Sequence, residues 1–488
     1  MADHRRALAL IIALFLFLGF VFQGTRALFE TDEGRYTGNA MEMIVSGDYL
    51  VPRYNEDTPN FTKPPFTLWA IAASVHAFGH NTWAVRAPYA VAFTLIGVLL
   101  FAMGRRIVPE RPWLPPLVYG LSLFPFAAAN YVSTDVFLTL WEALAMYGFI
   151  AWRYAAESSA RSRYMLVLWL GFGGAFLTKG PPGLIPLLAV IPYVVVRDGW
   201  RGLRPLIRWP GLALFLVVGF GWYVTVIAFR PELFRYFLVY EVYDRLFTGV
   251  HHRHAGWYGW IVAFGPPLLL GTLPWWRPLV RGCRRVLSRA RWHTWLRGES
   301  IALLLLLWFL IPLAVFIAAQ SRLPLYVLPL FLPLSLMLAL EMRRSLDLRA
   351  ARTRLLLGLW VALLVAFKGG ASYWFVHADR NDRVLSDKIR AAASGHDFGS
   401  VTYVDQHMPW GVAFYLHRSI FGLDWHGREG RGCSALTARP NTLFLVRERA
   451  ATHFRDSAAS RCGVSVRLLG QAENDGRPVR AAVIESRQ

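Results

Sequence analysis

Charged residues are scarce in this sequence: 17% of its 488 residues are Asp, Glu, Lys or Arg, while 55% are hydrophobic. So low a charged fraction excludes an ordinary soluble globular protein for most of the chain. Lysine is the rarest charged residue, since only four of the 52 basic residues are lysines. A small-residue cleavage site is also absent after the first apolar run, at residues 22–26. A retained membrane anchor is therefore predicted rather than a cleaved signal peptide.

Apolar runs recur along the first three quarters of the chain, and several approach the roughly 20 residues that a helix needs to cross a bilayer. Twenty Trp and 33 Phe residues fit the aromatic belts found at membrane interfaces. The run 66–79 is shorter and predicts an interfacial helix. The predicted spans number eleven: 7–23, 83–104, 113–130, 134–152, 164–178, 181–197, 209–229, 257–276, 300–319, 324–341 and 354–375.

Arginines gather in every second predicted loop and give the chain a formal net charge of +21. By the positive-inside rule these loops face the cytoplasm, and the loop after the first span lies outside. The predicted location is therefore a bacterial inner, or plasma, membrane. Nucleic-acid binding is disfavoured as the reason for the basicity, because no loop interleaves its arginines with aromatic residues that would stack on bases.

Residues 376–488 differ in character, because short alternating runs replace the long apolar ones. The runs 401–404, 413–416, 442–446 and 464–468 predict strands, and 386–394 predicts a helix. The predicted organisation is a transmembrane domain over 1–375, with a first outer loop over 24–82, and a periplasmic α/β domain over 376–488. Cys433 and Cys462 both lie in the second domain, where an oxidising compartment favours a disulfide over two free thiols. Cys283 lies in a predicted cytoplasmic loop without a partner.

Acidic and basic residues collect at the predicted outer ends of the spans. The set consists of Asp32, Glu33, Arg35, Lys63, Asp135, Lys179, Glu241, Arg245, Arg322 and Tyr326. Cations in such a place can hold a lipid phosphate through charge-assisted hydrogen bonds. A carboxylate can act as a general base or stabilise positive charge at a sugar carbon. Polyprenyl-phosphate sugars are donors of this kind, with an anionic head and an apolar tail.

Each candidate also has a structural interpretation. Acidic residues at 32 and 33 are suited to the start of the helix that follows them, and for Glu33 this interpretation is as strong as a functional one. Lys63 and Lys179 can be interfacial lysines that extend towards the headgroups. Asp135 can pair with an arginine. His251, His252 and His254 can form a metal site, but a surface-exposed cluster is the simpler interpretation.

A resemblance to a known family follows from these residues. The runs DEGRY from Asp32, SGDYLVPRYN from Ser46 and FTKPP from Phe61 resemble the GT-C-type membrane glycosyltransferases. The similarity is closest to the lipid A aminoarabinose transferase and protein O-mannosyltransferase-like group. It continues through STD at Ser133, FLTKGP at Phe176, the E-x-x-x-R spacing from Glu241 to Arg245 and RLPLYVLP at Arg322.

The resemblance implies sugar transfer from a polyprenyl monophosphate carrier to an envelope acceptor on the periplasmic face, with inversion at the sugar carbon and no cofactor. The acceptor classes are a lipid A-like glycolipid, a glycan or a protein. Asp32 resembles the catalytic acidic residue of the family, and Asp135 the second acidic residue. Lys63 is similar to its phosphate ligand, and Arg245 and Tyr326 match positions that line the phosphate pocket.

Two departures from the family concern its metal site. Thr62 stands where a Glu precedes the lysine of Lys-Pro-Pro, and Val242 stands where a His follows the later Glu. Their joint loss indicates that this chain does not bind that metal. It also means that lipid A does not follow from the resemblance as the acceptor. A flippase for polyprenyl-linked lipids is the alternative function. It is disfavoured because the sequence has no inverted repeat and its charges lie on one predicted face rather than at the membrane midplane.

Overall fold

In the computed structural model the chain is mostly helical, with a β-sheet near the carboxyl terminus, as the predicted fold class requires. The structure describes residues 2–29, 31–244, 254, 256–286, 301–374, 381–425, 432–439, 441–474 and 476–487. The helices are α1 (Ala2–Phe20), α2 (Asp32–Ser46), α3 (Phe66–Phe78), α4 (Thr82–Ile107), α5 (Leu114–Leu121), α6 (Leu123–Ala129), α7 (Thr134–Tyr154), α8 (Ser158–Lys179), α9 (Leu187–Asp198), α10 (Trp209–Phe215), α11 (Gly221–Phe229), α12 (Glu232–Arg235), α13 (Gly259–Leu269), α14 (Trp276–Val286), α15 (Ile301–Ala318), α16 (Phe331–Met342), α17 (Ala351–Trp374), α18 (Asp382–Ala392), α19 (Val412–Leu416), α20 (Gly432–Thr437) and α21 (Glu448–Cys462).

Seven segments of the described chain are long and apolar enough to cross a membrane. They are Thr82–Ile107, Thr134–Tyr154, Pro181–Asp198, Trp209–Phe229, Ile301–Ala318, Pro324–Met342 and Ala351–Ala371, and each coincides with a predicted span. The predicted spans 7–23, 164–178 and 257–276 fall on α1, α8 and α13. The predicted span 113–130 is divided into α5 and α6, because Ser122 between them has an extended backbone. The total of eleven spans stays a prediction.

The chain forms two compact units. The first comprises Met1–Gln23, Thr62–Thr67 and Arg86–Phe367, and the second comprises Gly24–Phe61, Leu68–Val85 and Lys368–Gln488. The first unit is an all-helical body with one large apolar core, in which Phe15, Phe93, Phe149 and Trp308 are almost fully buried. The apolar spans of this unit supply these side chains.

The second unit contains a five-stranded mixed sheet. Its strands are β3 (Ser400–Val404), β4 (Ser419–Leu423), β5 (Thr442–Arg447), β6 (Val464–Asn474) and β7 (Arg477–Arg487), in the spatial order β4–β3–β5–β7–β6. Strand β3 pairs in parallel with β4 and β5, and the other pairs are antiparallel. Successive side chains of β5 alternate between two cores: Leu443 and Leu445 pack on the side of α18, and Phe444 packs with Phe454 of α21. This period of two confirms the strands predicted at 401–404, 442–446 and 464–468.

One predicted strand of this domain is wrong. Residues 413–416 lie in the short helix α19, which ends at His417 in a left-handed backbone conformation, with φ of 56°. The strand lies a few residues later, at β4. A four-residue apolar run fits a buried helical turn as well as a strand, so its pattern did not separate the two. The predicted disulfide between Cys433 and Cys462 is confirmed.

The segment that follows α1 belongs to the same compact unit as the sheet. A short hairpin of β1 (Arg53–Asn55) and β2 (Thr58–Pro59) follows α2, and the Asn55 side-chain amide donates to the carbonyl of Ile420 in β4. In the turn before α4, the ring of His80 lies 4.1 Å from that of His417, measured between centroids, and its Nε2 lies 2.8 Å from the Phe414 carbonyl oxygen. Burial lowers the pKa of His80, and the charge of His417 lowers it further, while the Phe414 carbonyl opposes the shift.

Candidate functional site

Two adjacent helices of the first unit, α7 and α8, bring the ends of two distant motifs together. Glycines allow their backbones to approach closely: a Cβ built at Gly171 of α8 would lie 2.4 Å from the backbone nitrogen of Ala145 in α7. Small residues at helix contacts are typical of packing in membranes. Because the two helices run antiparallel, the first turn of α7 lies beside the last turn of α8.

Asp135 and Lys179 form a buried ion pair at this end of the two helices. Asp135 lies in the first turn of α7, after Ser133, whose hydroxyl accepts a hydrogen bond from the Asp135 backbone N–H. Lys179 is the last residue of α8, and its Nζ lies 2.5 Å from Asp135 Oδ1. The Asp135 side chain is only 7% exposed and the Lys179 side chain only 8%. The helix dipoles favour an acid at the start of α7 and a base at the end of α8, so the pair is stabilised on both sides.

Tyr326 covers the lysine of this pair. Its ring centroid lies 4.5 Å from Lys179 Nζ, a distance at which the ring attracts the ammonium group. Tyr326 belongs to the 3₁₀ segment Pro324–Leu330, which leads into α16. The structure thus brings together three of the predicted site residues: Asp135, Lys179 and Tyr326.

Lys63 forms a second, longer ion pair in the same unit. Its Nζ lies 4.0 Å from Glu241 Oε2, and the side chains are 20% and 11% exposed, respectively. The hydroxyl of Tyr236 donates to Glu241 Oε1 at 3.2 Å. Phe66, three residues after Lys63, packs edge-on against Phe137 in the first turns of α7. The Lys-Pro-Pro segment is therefore fixed against the helix that carries Asp135.

Arg322 is buried, and its guanidinium binds backbone carbonyl oxygens. Its guanidinium donates to the carbonyl oxygens of His254, Gly256 and Ile317 at 2.8 to 2.9 Å. Ile317 lies at the carboxyl-terminal end of α15, where the helix dipole is negative. In the described part of the chain Arg322 has no carboxylate partner. This predicted ligand therefore holds residues 254 and 256 against α15.

The acidic cluster at the start of α2 belongs to the second unit. Asp32 accepts from Arg35 at 2.6 Å, and the two side chains are 33% and 27% exposed, so this pair is accessible to solvent. Glu33 is fully buried, receives two hydrogen bonds from Arg26 and accepts another from the Phe29 backbone N–H. The structure thus places Glu33 in a buried contact with Arg26 that the sequence analysis did not predict.

Sequence reasoning missed two residues that lie beside the ion pairs. Glu142 follows Asp135 by two turns of α7, is 4% exposed, and interacts electrostatically with Lys179 and Asp135. An acidic residue two turns inside a membrane-spanning helix was the signal that could have identified it. Tyr223 of α11 has its hydroxyl next to Gly180, since a Cβ built there would lie 3.1 Å from Tyr223 Oη. No local motif distinguished Tyr223 from the other aromatic residues.

Three predicted residues lie outside the described residues: Arg245 and the histidines His251 and His252. Of His254, the backbone carbonyl accepts from Arg322, as described above. Groups of three or more His, Cys, Asp or Glu side chains that could hold a metal ion do not occur within the described ranges.

Comparison with known proteins finds similarity to membrane glycosyltransferases. Residues 62–265 match the family of dolichyl-phosphate-mannose-protein mannosyltransferases. Undecaprenyl phosphate-alpha-4-amino-4-deoxy-L-arabinose arabinosyl transferase 2 of Pseudomonas fluorescens is 31% identical over 370 residues, which cover 74% of this chain and 64% of the relative. The corresponding transferase of Shewanella sediminis is 33% identical over 344 residues, 68% of this chain and 59% of the relative. The chain thus spans less than two thirds of the length of these relatives.

A solved structure shares the fold over almost the whole chain. ArnT from Cupriavidus metallidurans, in a crystal structure with bound undecaprenyl phosphate, superposes with a TM-score of 0.75 and covers 97% of both chains. The sequence identity is 20%, so this likeness concerns the fold. The predicted architecture, a helical membrane part followed by an α/β domain, is confirmed.

Proposed function

We propose that the chain is a GT-C-type membrane glycosyltransferase that transfers a sugar from a polyprenyl-phosphate carrier to an envelope acceptor. The reaction proceeds with inversion on the periplasmic face of a bacterial inner membrane. Residues 1–375 bind the donor lipid in the membrane, and residues 376–488 form a periplasmic domain. The relatives are named for 4-amino-4-deoxy-L-arabinose on undecaprenyl phosphate, so this pentose is the first donor to test.

The observation that carries the proposal is the pair of lysine–carboxylate contacts in the helical unit. Lys63 and Lys179 are each held by a carboxylate, and Tyr326 covers Lys179. In this state the lysine charges are compensated, which keeps the cost of burying them low. The phosphodiester of a polyprenyl-phosphate sugar carries the same charge as a carboxylate and offers more acceptor oxygens. It can therefore replace the carboxylates as the partner of the lysines.

The lysines then act on the leaving group of the reaction. When the bond between the sugar carbon and the phosphate oxygen breaks, negative charge develops on the phosphate. Ammonium groups already fixed near it stabilise that charge without further reorganisation, and this contribution is usually the largest in such catalysis. Arg245, Arg322 and Tyr326 are the further phosphate ligands of the proposal, and Glu33 and Arg35 are its remaining substrate-binding residues. Glu241 acts at this site by holding Lys63 until the donor phosphate binds.

Asp32 keeps the role that the resemblance predicts for it. With a hydroxyl acceptor, its carboxylate is the general base that takes the proton as the hydroxyl attacks the sugar carbon. With an acceptor that is already an ionised phosphate, no base is needed, and Asp32 orients the acceptor or stabilises positive charge on the sugar. Asp135 keeps the role of the second acidic residue of the family.

The test is sugar transfer by the purified protein in liposomes. Polyprenyl-phosphate sugars, the aminoarabinose carrier among them, are supplied with extracted envelope acceptors including lipid A. Wild type is compared with Asp32→Asn, Lys63→Ala and Lys179→Ala, and with Lys388→Ala as a matched control, because Lys388 forms an exposed contact with Glu473 in the sheet domain. Transfer that is lost in the three site variants and kept in the control is expected. Labelled lipid that crosses the bilayer without any transfer would instead establish the flippase.

A further inference from the structure

Tyr223 has links to both lysine–carboxylate pairs described above. Its hydroxyl is next to Gly180, as the 3.1 Å distance from a Cβ built at that glycine shows. Gly180 directly follows Lys179, and its φ of +74° is a conformation that favours glycine. The phenol of Tyr223 also interacts electrostatically with Glu241, the partner of Lys63. The Tyr223 side chain is thus next to the residue that follows Lys179 and within electrostatic range of the carboxylate that pairs with Lys63.

The ring of Tyr223 is held in place by aromatic neighbours. Its centroid lies 5.3 Å from that of Phe176 in α8 and 4.9 Å from that of Phe237, with edge-on or tilted geometry. Such contacts stabilise one ring orientation. The hydroxyl therefore has a defined position, which a residue needs if it is to act as a fixed hydrogen-bond donor.

The hydroxyl of Tyr223 is not engaged by the protein itself. Among the residues that the structure describes, it has no hydrogen-bond partner, although a phenol in a mostly apolar environment ordinarily has one. Lys179, which precedes Gly180, and Glu241 are each held in an ion pair. The Tyr223 hydroxyl can therefore donate a hydrogen bond that no described protein group accepts. Such a donor is suited to a ligand that supplies its own acceptor oxygens.

We propose that Tyr223 is a further binding residue for the donor and that its hydroxyl donates a hydrogen bond to the phosphate of the polyprenyl carrier. This inference rests on the proposed function, since it takes the carrier phosphate as the anion that exchanges with Asp135 and Glu241. The phenol is neutral, so no carboxylate has to be displaced before it donates. The hydroxyl donates a stronger hydrogen bond to a charged phosphate oxygen than to the neutral alcohol of the corresponding polyprenol.

The test is a binding measurement on the full-length protein in lipid nanodiscs, with undecaprenyl phosphate and undecaprenol as probes. Tyr223→Phe removes one oxygen and keeps the ring. Tyr147→Phe is the matched control, because Tyr147 lies on α7 beside Tyr164 and Arg106, about 18 Å along the helix from Asp135. Thermal unfolding midpoints of both variants should equal that of wild type.

In Tyr223→Phe we expect the affinity for undecaprenyl phosphate to fall about ten- to a hundredfold, the usual effect of losing a hydrogen bond to a charged group. The affinity for undecaprenol should be unchanged, and Tyr147→Phe should change neither. An affinity for undecaprenyl phosphate within twofold of wild type would overturn the proposal. Equal losses for both lipids would also overturn it, because they would assign the ring to the apolar tail.

The two levels of inference can fail separately. Binding is measured without sugar or acceptor, so a wild-type protein that binds undecaprenyl phosphate far better than undecaprenol but transfers no sugar would contradict the proposed function alone. A Tyr223→Phe protein that transfers sugar and binds undecaprenyl phosphate as tightly as wild type would contradict the role of Tyr223 alone.

Discussion

Glu241→Gln is expected to make the protein bind its donor lipid more tightly, an unusual direction for a change at a binding site. If the Glu241 carboxylate neutralises Lys63 until a phosphate arrives, it competes with the phosphate for the same ammonium group. Glutamine has nearly the same shape and keeps an oxygen that can accept from Tyr236, but it carries no charge. The variant therefore removes the competitor and leaves the packing in place.

The size of the effect follows from the 4.0 Å between Lys63 Nζ and Glu241 Oε2. Two unit charges at that distance interact by about 4 kcal/mol at an effective dielectric constant of about 20. Both side chains are partly exposed, so solvent reduces this value, and the two groups are not in close hydrogen-bonding contact. We expect a gain of about 1–2 kcal/mol, which corresponds to roughly five- to thirtyfold tighter binding.

The assay is binding of undecaprenyl phosphate to the protein in nanodiscs at low and high salt. Glu110→Gln is the control, since Glu110 pairs with Arg343 in an exposed contact of the same unit and makes the same change in net charge. The control should show no gain at high salt, whereas the gain in Glu241→Gln should persist. Unchanged or weaker binding in Glu241→Gln would refute the competition between carboxylate and phosphate, and Glu241 would then be a group that supports the bound donor.

Three further outcomes concern stability and its dependence on pH. Lys179→Met should lower the free energy of unfolding by about 3–5 kcal/mol because it leaves Asp135 buried and unpaired. Unfolding in detergent should show that the double variant with Asp135→Asn recovers part of this loss. A fully additive loss in the double variant would contradict the pairing. Gly171→Ala should destabilise the protein by about 1–3 kcal/mol through overpacking of α7 on α8. Gly358→Ala is the control, because a Cβ built at this helical position has no neighbour, and it should be neutral or stabilising. The two variants are compared by their unfolding midpoints. The pKa of His80 is lowered in the fold, so the folded state binds the extra proton less well than the unfolded state, and stability should fall as the pH drops below the ordinary histidine pKa; a His80→Gln variant whose pH profile matched wild type would contradict this.

The class of the protein could be predicted from the sequence because it depends on local composition. A bilayer requires long apolar runs, and seven of the predicted runs form helices long and apolar enough to cross it. The change to alternating runs after residue 376 predicted the sheet in the same way, through a period of two that each strand carries by itself. The strand predicted at 413–416 was wrong because four residues are too few for a period of two to be distinguished from one helical turn.

The resemblance to the transferases was also carried by short runs of the chain, and the comparisons agree with it. Those runs told which residues to consider, namely the lysines of Lys-Pro-Pro and Lys-Gly-Pro and the acids of DEGRY. They did not tell which of these residues are partners. Glu33 had a structural and a functional interpretation, and neither of them predicted that Arg26 donates to both of its carboxylate oxygens.

Pairings between distant residues were decided by the tertiary structure. Lys179 meets Asp135 because α7 and α8 pack closely through glycines, and Lys63 meets Glu241 although the two residues lie far apart in the sequence. The position of the Tyr223 hydroxyl beside Gly180 has no signature in the sequence at all. Composition and periodicity act within a few residues and determine membrane class and element type, whereas the partner of a charge depends on which helix ends the packing of the apolar core brings together.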